Sequence, residues 1–266
     1  TLRRTDVSDN TLDALGCVGT GDNAVCYGPG ANATGTNTSA LGAYSTAAAT
    51  GATATGAGAT ASGEKSVAVG QASKALGKQS TALGAEAFAN GTGSIAVGGQ
   101  SVADGTDVMA QGRGASAKGI DAIAVGSKAN ADGTDVMAQG RSASATGTDA
   151  ISVGRQALAE GRDVIAQGTQ ASANGFNTVA IGSQSTTSGR NALAFGVQSF
   201  ADGDDVMALG AGARATGSRA TAVGVGATTT RNNQVMLGTA SDEVTVANLA
   251  GSGKAIVEAN SDGTLK

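Results

Sequence analysis

SVAVGQASKALGKQ, residues 66–79, is followed by STALGAEAFANGTG (80–93), SIAVGGQSVADGTD (94–107), VMAQGRGASAKGID (108–121) and AIAVGSKANADGTD (122–135). One fourteen-residue pattern repeats with hardly a slip to about Thr221. The fifth residue of each copy is glycine: Gly70, Gly84, Gly98, Gly112, Gly126, Gly140, Gly154, Gly168, Gly182, Gly196, Gly210 and Gly224. The same step runs back to Gly28 and on to Gly238 without exception. A second glycine follows seven residues later in most copies, as at Gly77, Gly91 and Gly105, with Ala49 and Arg231 as the two misses. A fixed period of this kind marks a solenoid, in which each repeat stacks on the last.

Before the first glycine the pattern is aliphatic, alanine, aliphatic, as in Val67-Ala68-Val69, Ile95-Ala96-Val97, Ile123-Ala124-Val125 and Val179-Ala180-Ile181. Alternation with period two predicts a short strand with aliphatics on one face and alanine on the other. Small residues three and five places after the glycine, such as Ala115 and Ala117, predict a second short strand. Each coil is then two strands and two glycine corners, with the bulky face packed inward over the small one. The glycines are expected where a corner needs positive φ or a close approach of the next coil. On this reading the alanine column Ala68, Ala96, Ala124 and Ala180 is a candidate subunit contact. Gln111, Gln139 and Gln167 then stand in an inward column, each needing a polar partner, with Ser116, Ser144 and Ser172 the leading candidates.

Composition agrees with a thin coil. The 266 residues include 43 glycines, four phenylalanines, two tyrosines and no tryptophan or histidine. Much of the apolar content is alanine, so an isolated coil cannot be stable and association with other chains is expected. A net charge of −4 with no basic, aromatic-interleaved stripe argues against nucleic acid. No apolar run is long enough for a membrane span, so export or anchoring elements are expected to lie outside this stretch. Without histidine no Ser/His/Asp arrangement is available, which argues against an enzyme. No cofactor is implied.

Residues 1–23 depart from the pattern and read as an N-terminal cap over the first coil's open edge. Cys17 and Cys26 flank a glycine-rich turn; a disulfide is expected in preference to a metal site, with two free thiols as the plain alternative. Between about Ala24 and Lys65 the pattern thins to alanine and threonine, and an irregular turn is expected where Ala49 replaces the glycine and Gly51 stands displaced.

The x-S-V-A-V-G string and its variants, at a period of fourteen over about residues 24–238, resemble the head repeat of the YadA-like trimeric autotransporter adhesins. Arg231 to Ala250, with its NQVMLG string, resembles the neck that follows such heads. The resemblance implies an all-β, left-handed parallel β-roll assembled as a homotrimer on a bacterial outer surface, tethered through a C-terminal membrane anchor outside this sequence. It implies a head at 24–230, a neck at 231–250 carrying Val235, Leu237, Val244, Val246 and Leu249, and a connector or stalk-proximal segment at 251–266. It also implies attachment to extracellular matrix proteins, host cell-surface receptors, other bacteria or abiotic surfaces. A structural spacer with no ligand of its own is the rival reading.

Two sets of outward residues remain. Asp107, Asp121, Asp135, Asp149, Asp163, Asn177, Asn191 and Asp205 recur nine places after the first glycine, as a column of turn-forming Asx residues or, alternatively, a cation site. Arg113, Arg141 and Arg155 are expected close enough to offset the column's repulsion. The place four residues after the glycine varies freely, through Lys74, Phe88, Val102, Ser116, Asn130, Leu158, Phe200 and Arg214, as a binding face or solvent decoration.

Overall fold

In the computed structural model, residues 16–243 are described, and they form one parallel β-solenoid. Each turn is a first strand of three residues ending before the first glycine, a corner, a second strand, and a second corner. Val67–Val69 pairs with Thr81–Leu83 and that strand with Ile95–Val97, so every residue lies beside its equivalent in the next coil. The second strands stack likewise, Lys74–Ala75 beside Phe88–Ala89 beside Val102–Thr106. Backbone hydrogen bonds tie each coil to both neighbours; Val67 N–H donates to the Ser80 carbonyl at 2.9 Å and Gly70 N–H to that of Thr55 at 2.8 Å.

The inside of the coil is opposite to the sequence reading. Ala68, Ala82, Ala96, Ala124 and Ala180 are fully buried, whereas the aliphatics on either side face out. Four columns point inward: the alanines of the first strand, those of the second, and a small residue just after each corner. Among the described residues the largest fully buried side chains are valines, at Val108, Val136, Val164 and Val206. The reason is geometric. Two strands joined by tight corners lie too close for two layers of Val, Ile or Leu, so the interior takes methyl groups and hydroxyls while bulk is displaced outward.

Two expectations fall with that inversion. The alanine column has no surface to offer a second subunit, so it is not a subunit contact. Gln111, Gln139 and Gln167 are exposed, and no side-chain hydrogen bond joins them to Ser116, Ser144 or Ser172, which lie on the outward side of the second strand. Solvent satisfies the amides.

Several buried hydroxyls bond to the carbonyl three residues back, whereas those of Ser66, Ser80, Ser152, Thr178 and Thr187 have no described hydrogen-bond partner. Ser73, Ser101, Ser185 and Ser199 donate to the carbonyls of Gly70, Gly98, Gly182 and Gly196 at 2.8–2.9 Å. At the second corner Thr38 and Ser94 do the same to Gly35 and Gly91, both at 2.7 Å. From Gly105 onward that corner changes form. Its glycines move to positive φ, the strand runs on through the corner as far as Arg190, and Val108, Val136, Val164 and Val206 stand where Thr38 and Ser94 stand in the earlier coils. In Ser144–Val153, Leu158–Gln167 and Ser172–Ile181 the two strands fuse across it.

The first-corner glycines are required twice over. From Gly70 to Gly224 their φ angles lie between 123° and 139°, while every non-glycine residue with positive φ lies between 51° and 59°. A Cβ on Gly98 would also meet the carbonyl carbon and oxygen of Gly112 at 2.7 Å. Ala49 shows the converse. The glycines of the early second corners, Gly35 and Gly63, do not adopt positive φ, so at Ala49 the backbone angle does not demand glycine, although a Cβ on either glycine would crowd the backbone carbonyl of the next coil. Gly51, at φ 70°, takes the left-handed place that Asn37 and Lys65 hold in adjacent coils. The turn is regular, with Gly51 N–H bonded to Thr36 at 2.9 Å, and the expected irregularity is absent.

The boundaries also move. Val18–Gly19 already pairs with Asn32–Ala33, so residues 16–23 are solenoid rather than cap. Cys17, buried, is disulfide-bonded to Cys26 with a Cα separation of 6.1 Å. At the other end Val235–Leu237, inside the expected neck, pairs in parallel with Thr221–Val223 of the same chain. Val244, Val246 and Leu249, the segment 251–266 and residues 1–15 lie outside the described residues.

Substituting Gly98→Ala should destabilise the roll by about 3–4 kcal/mol, from a disallowed φ and a backbone clash. Gly212→Ala, at φ 65° with nothing within 4 Å, should cost about 1 kcal/mol. Thermal melts of the two variants check this, and equal losses would contradict the close-approach argument.

Candidate binding faces

With the interior closed, chemistry is confined to outward columns, and these follow one another around the coil. The first strand presents two. One runs through Val67, Ile95, Met109, Ile123, Met137, Ile151, Ile165, Val179, Leu193 and Met207; the other through Val69, Leu83, Val97, Val125, Val153, Ile181, Phe195 and Leu209, interrupted by the three glutamines. Together they make an apolar face along the rod, with Phe195 48%, Leu209 40% and Leu83 36% exposed. It continues into the expected neck, where Val235 and Leu237 stand out and Met236 packs inward.

The second strand's outward column carries the variable residues from Lys74 to Arg214. Two of them interact, the Arg214 guanidinium lying 4.4 Å from the Phe200 ring centroid. At the first corner, Gln170, Gln184 and Gln198 bond to one another through their amides at 3.4 and 3.2 Å.

At the second corner the Asx column is exposed, and every member from Asp107 to Asp205 has φ between 51° and 59°. That is the conformation Asn and Asp tolerate best. Asn177 donates to Asn191 and Asn191 to Asp205, both at 2.8 Å. Arg113, Arg141 and Arg155 sit at the first corner, across the coil from this column, and form no ion pair with it. The described ion pairs are Lys65 and Lys78 with Glu64, and Arg162 with Asp163. Intrachain offset of the column's repulsion by those arginines is therefore corrected. Among the described residues no group of three metal-ligating side chains occurs.

A feature not foreseen lies one place after the second glycine. Arg162 and Arg190 flank Phe176, their guanidinium carbons 4.6 and 5.4 Å from its centroid. The signal was available in the fourteen-residue step that places Arg162, Phe176 and Arg190 in three successive coils. Just past the last strand, Asp242 accepts bonds from the Thr239 backbone N–H and hydroxyl, which hold its carboxyl below the usual range.

These surfaces define a class: a stacked-coil rod whose outward columns carry its chemistry. The YadA head domain repeat, taken two copies at a time, matches from 20–45 and 33–59, through 117–143, 131–157, 145–171 and 159–185, to 188–213 and 215–233. These segments span most of the sequence, and the chain belongs to the YadA head-repeat family, a family of adhesins rather than enzymes. No curated protein sequence matches it. Among solved structures, the collagen-binding domain of the Yersinia adhesin YadA is similar at 24% identity, over 88% of this chain and 83% of that one, with a TM-score of 0.21. The family assignment rests on the repeat match.

Asp242 provides a pH test. Its folded-state pKa is depressed, so the turn's stabilisation is present above the unfolded carboxylate value, about 3.9, and is lost as pH falls through the folded value. The carboxyl carbon shift of Asp242 should titrate below the ordinary aspartate range. A midpoint at the ordinary value would contradict the cause assigned.

Proposed function

We propose that this chain is the binding head of a homotrimeric adhesin on the bacterial outer surface, carried on a neck at 231–250 and anchored by a segment beyond this sequence. The observation that carries the reading is the apolar face. A single chain leaves two columns of Val, Ile, Leu, Met and Phe in water along the rod, and an exposed patch of that length marks an interaction surface. Copies packed side by side would cover it, and membership of the head-repeat family supplies the number three. Covering the face leaves the second strand's variable column as the adhesive surface. Its mixed residues suit contact with extended partners such as extracellular matrix proteins, host cell-surface receptors, other bacteria or abiotic surfaces.

Light scattering of the gel-filtered chain should give three copies, and a stable folded monomer at micromolar concentration would contradict the assembly. Solid-phase binding to collagen, fibronectin and laminin tests the adhesive reading. Saturable binding to one of them, weakened by Phe200→Ala or Arg214→Ala with the trimer intact, is the expected result. No binding by an intact trimer to any matrix, cell or surface would favour the spacer.

A further inference from the structure

The apolar face has a property that makes it a poor guide to its own partner. It repeats coil after coil, so a neighbour displaced by one coil, or turned end for end, still meets aliphatic with aliphatic. Something else must fix direction and register.

The two borders of the face differ in sign. Three places before each buried alanine of the first strand stands the Asx column, and three places after it stands the column of Arg113, Arg141 and Arg155. In four successive coils each border carries a charge: Asp107 and Arg113, Asp121 and Lys128, Asp135 and Arg141, Asp149 and Arg155. All eight side chains are exposed, and none of the eight is in a described ion pair. Lys128 stands one place further round the corner, at φ 58°. These coils include those in which Gln111 and Gln139 interrupt the apolar face.

We propose that these charged borders select a second copy of this chain lying parallel and in register. The inference rests on the trimeric reading above. In a ring of parallel chains, the acidic border of each always meets the basic border of the next. At zero stagger the four coil pairs bring Asp107, Asp121, Asp135 and Asp149 of one copy opposite Arg113, Lys128, Arg141 and Arg155 of its neighbour. Turning one chain end for end sets acidic against acidic and basic against basic. A slip of several coils, each about 4.8 Å, carries the block past its partner.

The test uses the full 266-residue chain in four forms at low and high salt, with assembly followed by analytical ultracentrifugation. The forms are wild type, R113E/R141E/R155E, D107K/D135K/D149K, and the six-fold exchange. Lysine suits the Asx column, because Lys65 occupies that column at φ 56°. Each triple variant should raise the concentration for half-dissociation by about 100-fold at low salt and by much less at 1 M. The six-fold exchange should restore the wild-type value.

A six-fold variant as weak as either triple, or triples that assemble like wild type, would overturn the inference. So would triples that assemble normally while R113E/R141E/R155E alone loses binding to heparin, since the basic border would then be a polyanion site. A wild-type chain that stays monomeric defeats the trimeric reading itself, and is seen before any variant is made.

Discussion

Everything in this structure follows from how closely two strands can be brought together by corners of a few residues. The separation admits a methyl, a hydroxyl or at most a valine from each side. Each coil is therefore held less by side-chain bulk than by hydrogen bonds to the coils on either side, with alanine columns filling the narrow gap. The first-corner glycines belong to the same constraint. Their φ angles and the carbonyl of the next coil leave no room for a Cβ, so they recur without exception while other positions drift.

A core that cannot vary moves all variation to the outside. Between Ala31 and Thr229 the inward columns hold only Ala, Ser, Thr and Val, whereas one outward column passes from Lys74 through Phe88, Ser116 and Leu158 to Arg214. Outward substitutions leave the rod intact. The same fold can therefore carry an apolar face for its own copies, charged borders beside it, and a mixed face for other partners. The change in the second corner at Gly105, where valine replaces the hydroxyl, shows that even the scaffold has two local solutions to one turn.

The period, the two short strands per coil, the parallel stacking and the corner glycines were all legible in the sequence, because each depends on spacing alone. Which face of the strand turned inward was not. Alternation is identical for either choice, and the habit of placing Val69 and Ile123 inside led to the wrong one. The usable signal was constancy of size. From Ala40 to Ala222 the equivalents of Ala68 do not change apart from Ser152, while Val69, Gln111 and Phe195 share a column that a closed interior could not accommodate. Gln111, Gln139 and Gln167 were the anomaly that should have reversed the assignment. The Arg162–Phe176–Arg190 stack was hidden for another reason: its members meet only once coils are superimposed.

Alanine, not the aliphatic residues, lines the interior. Thermal melts of Ala124→Leu and Val125→Gln test it most directly, since the two positions are adjacent and opposite in orientation. Overpacking at Ala124 should cost about 3 kcal/mol or more, broadening or abolishing the cooperative melt. Val125→Gln, which repeats what Gln111 and Gln139 already do, should shift Tm by only a few degrees. A tolerated leucine at 124 together with unfolding by glutamine at 125 would contradict the account.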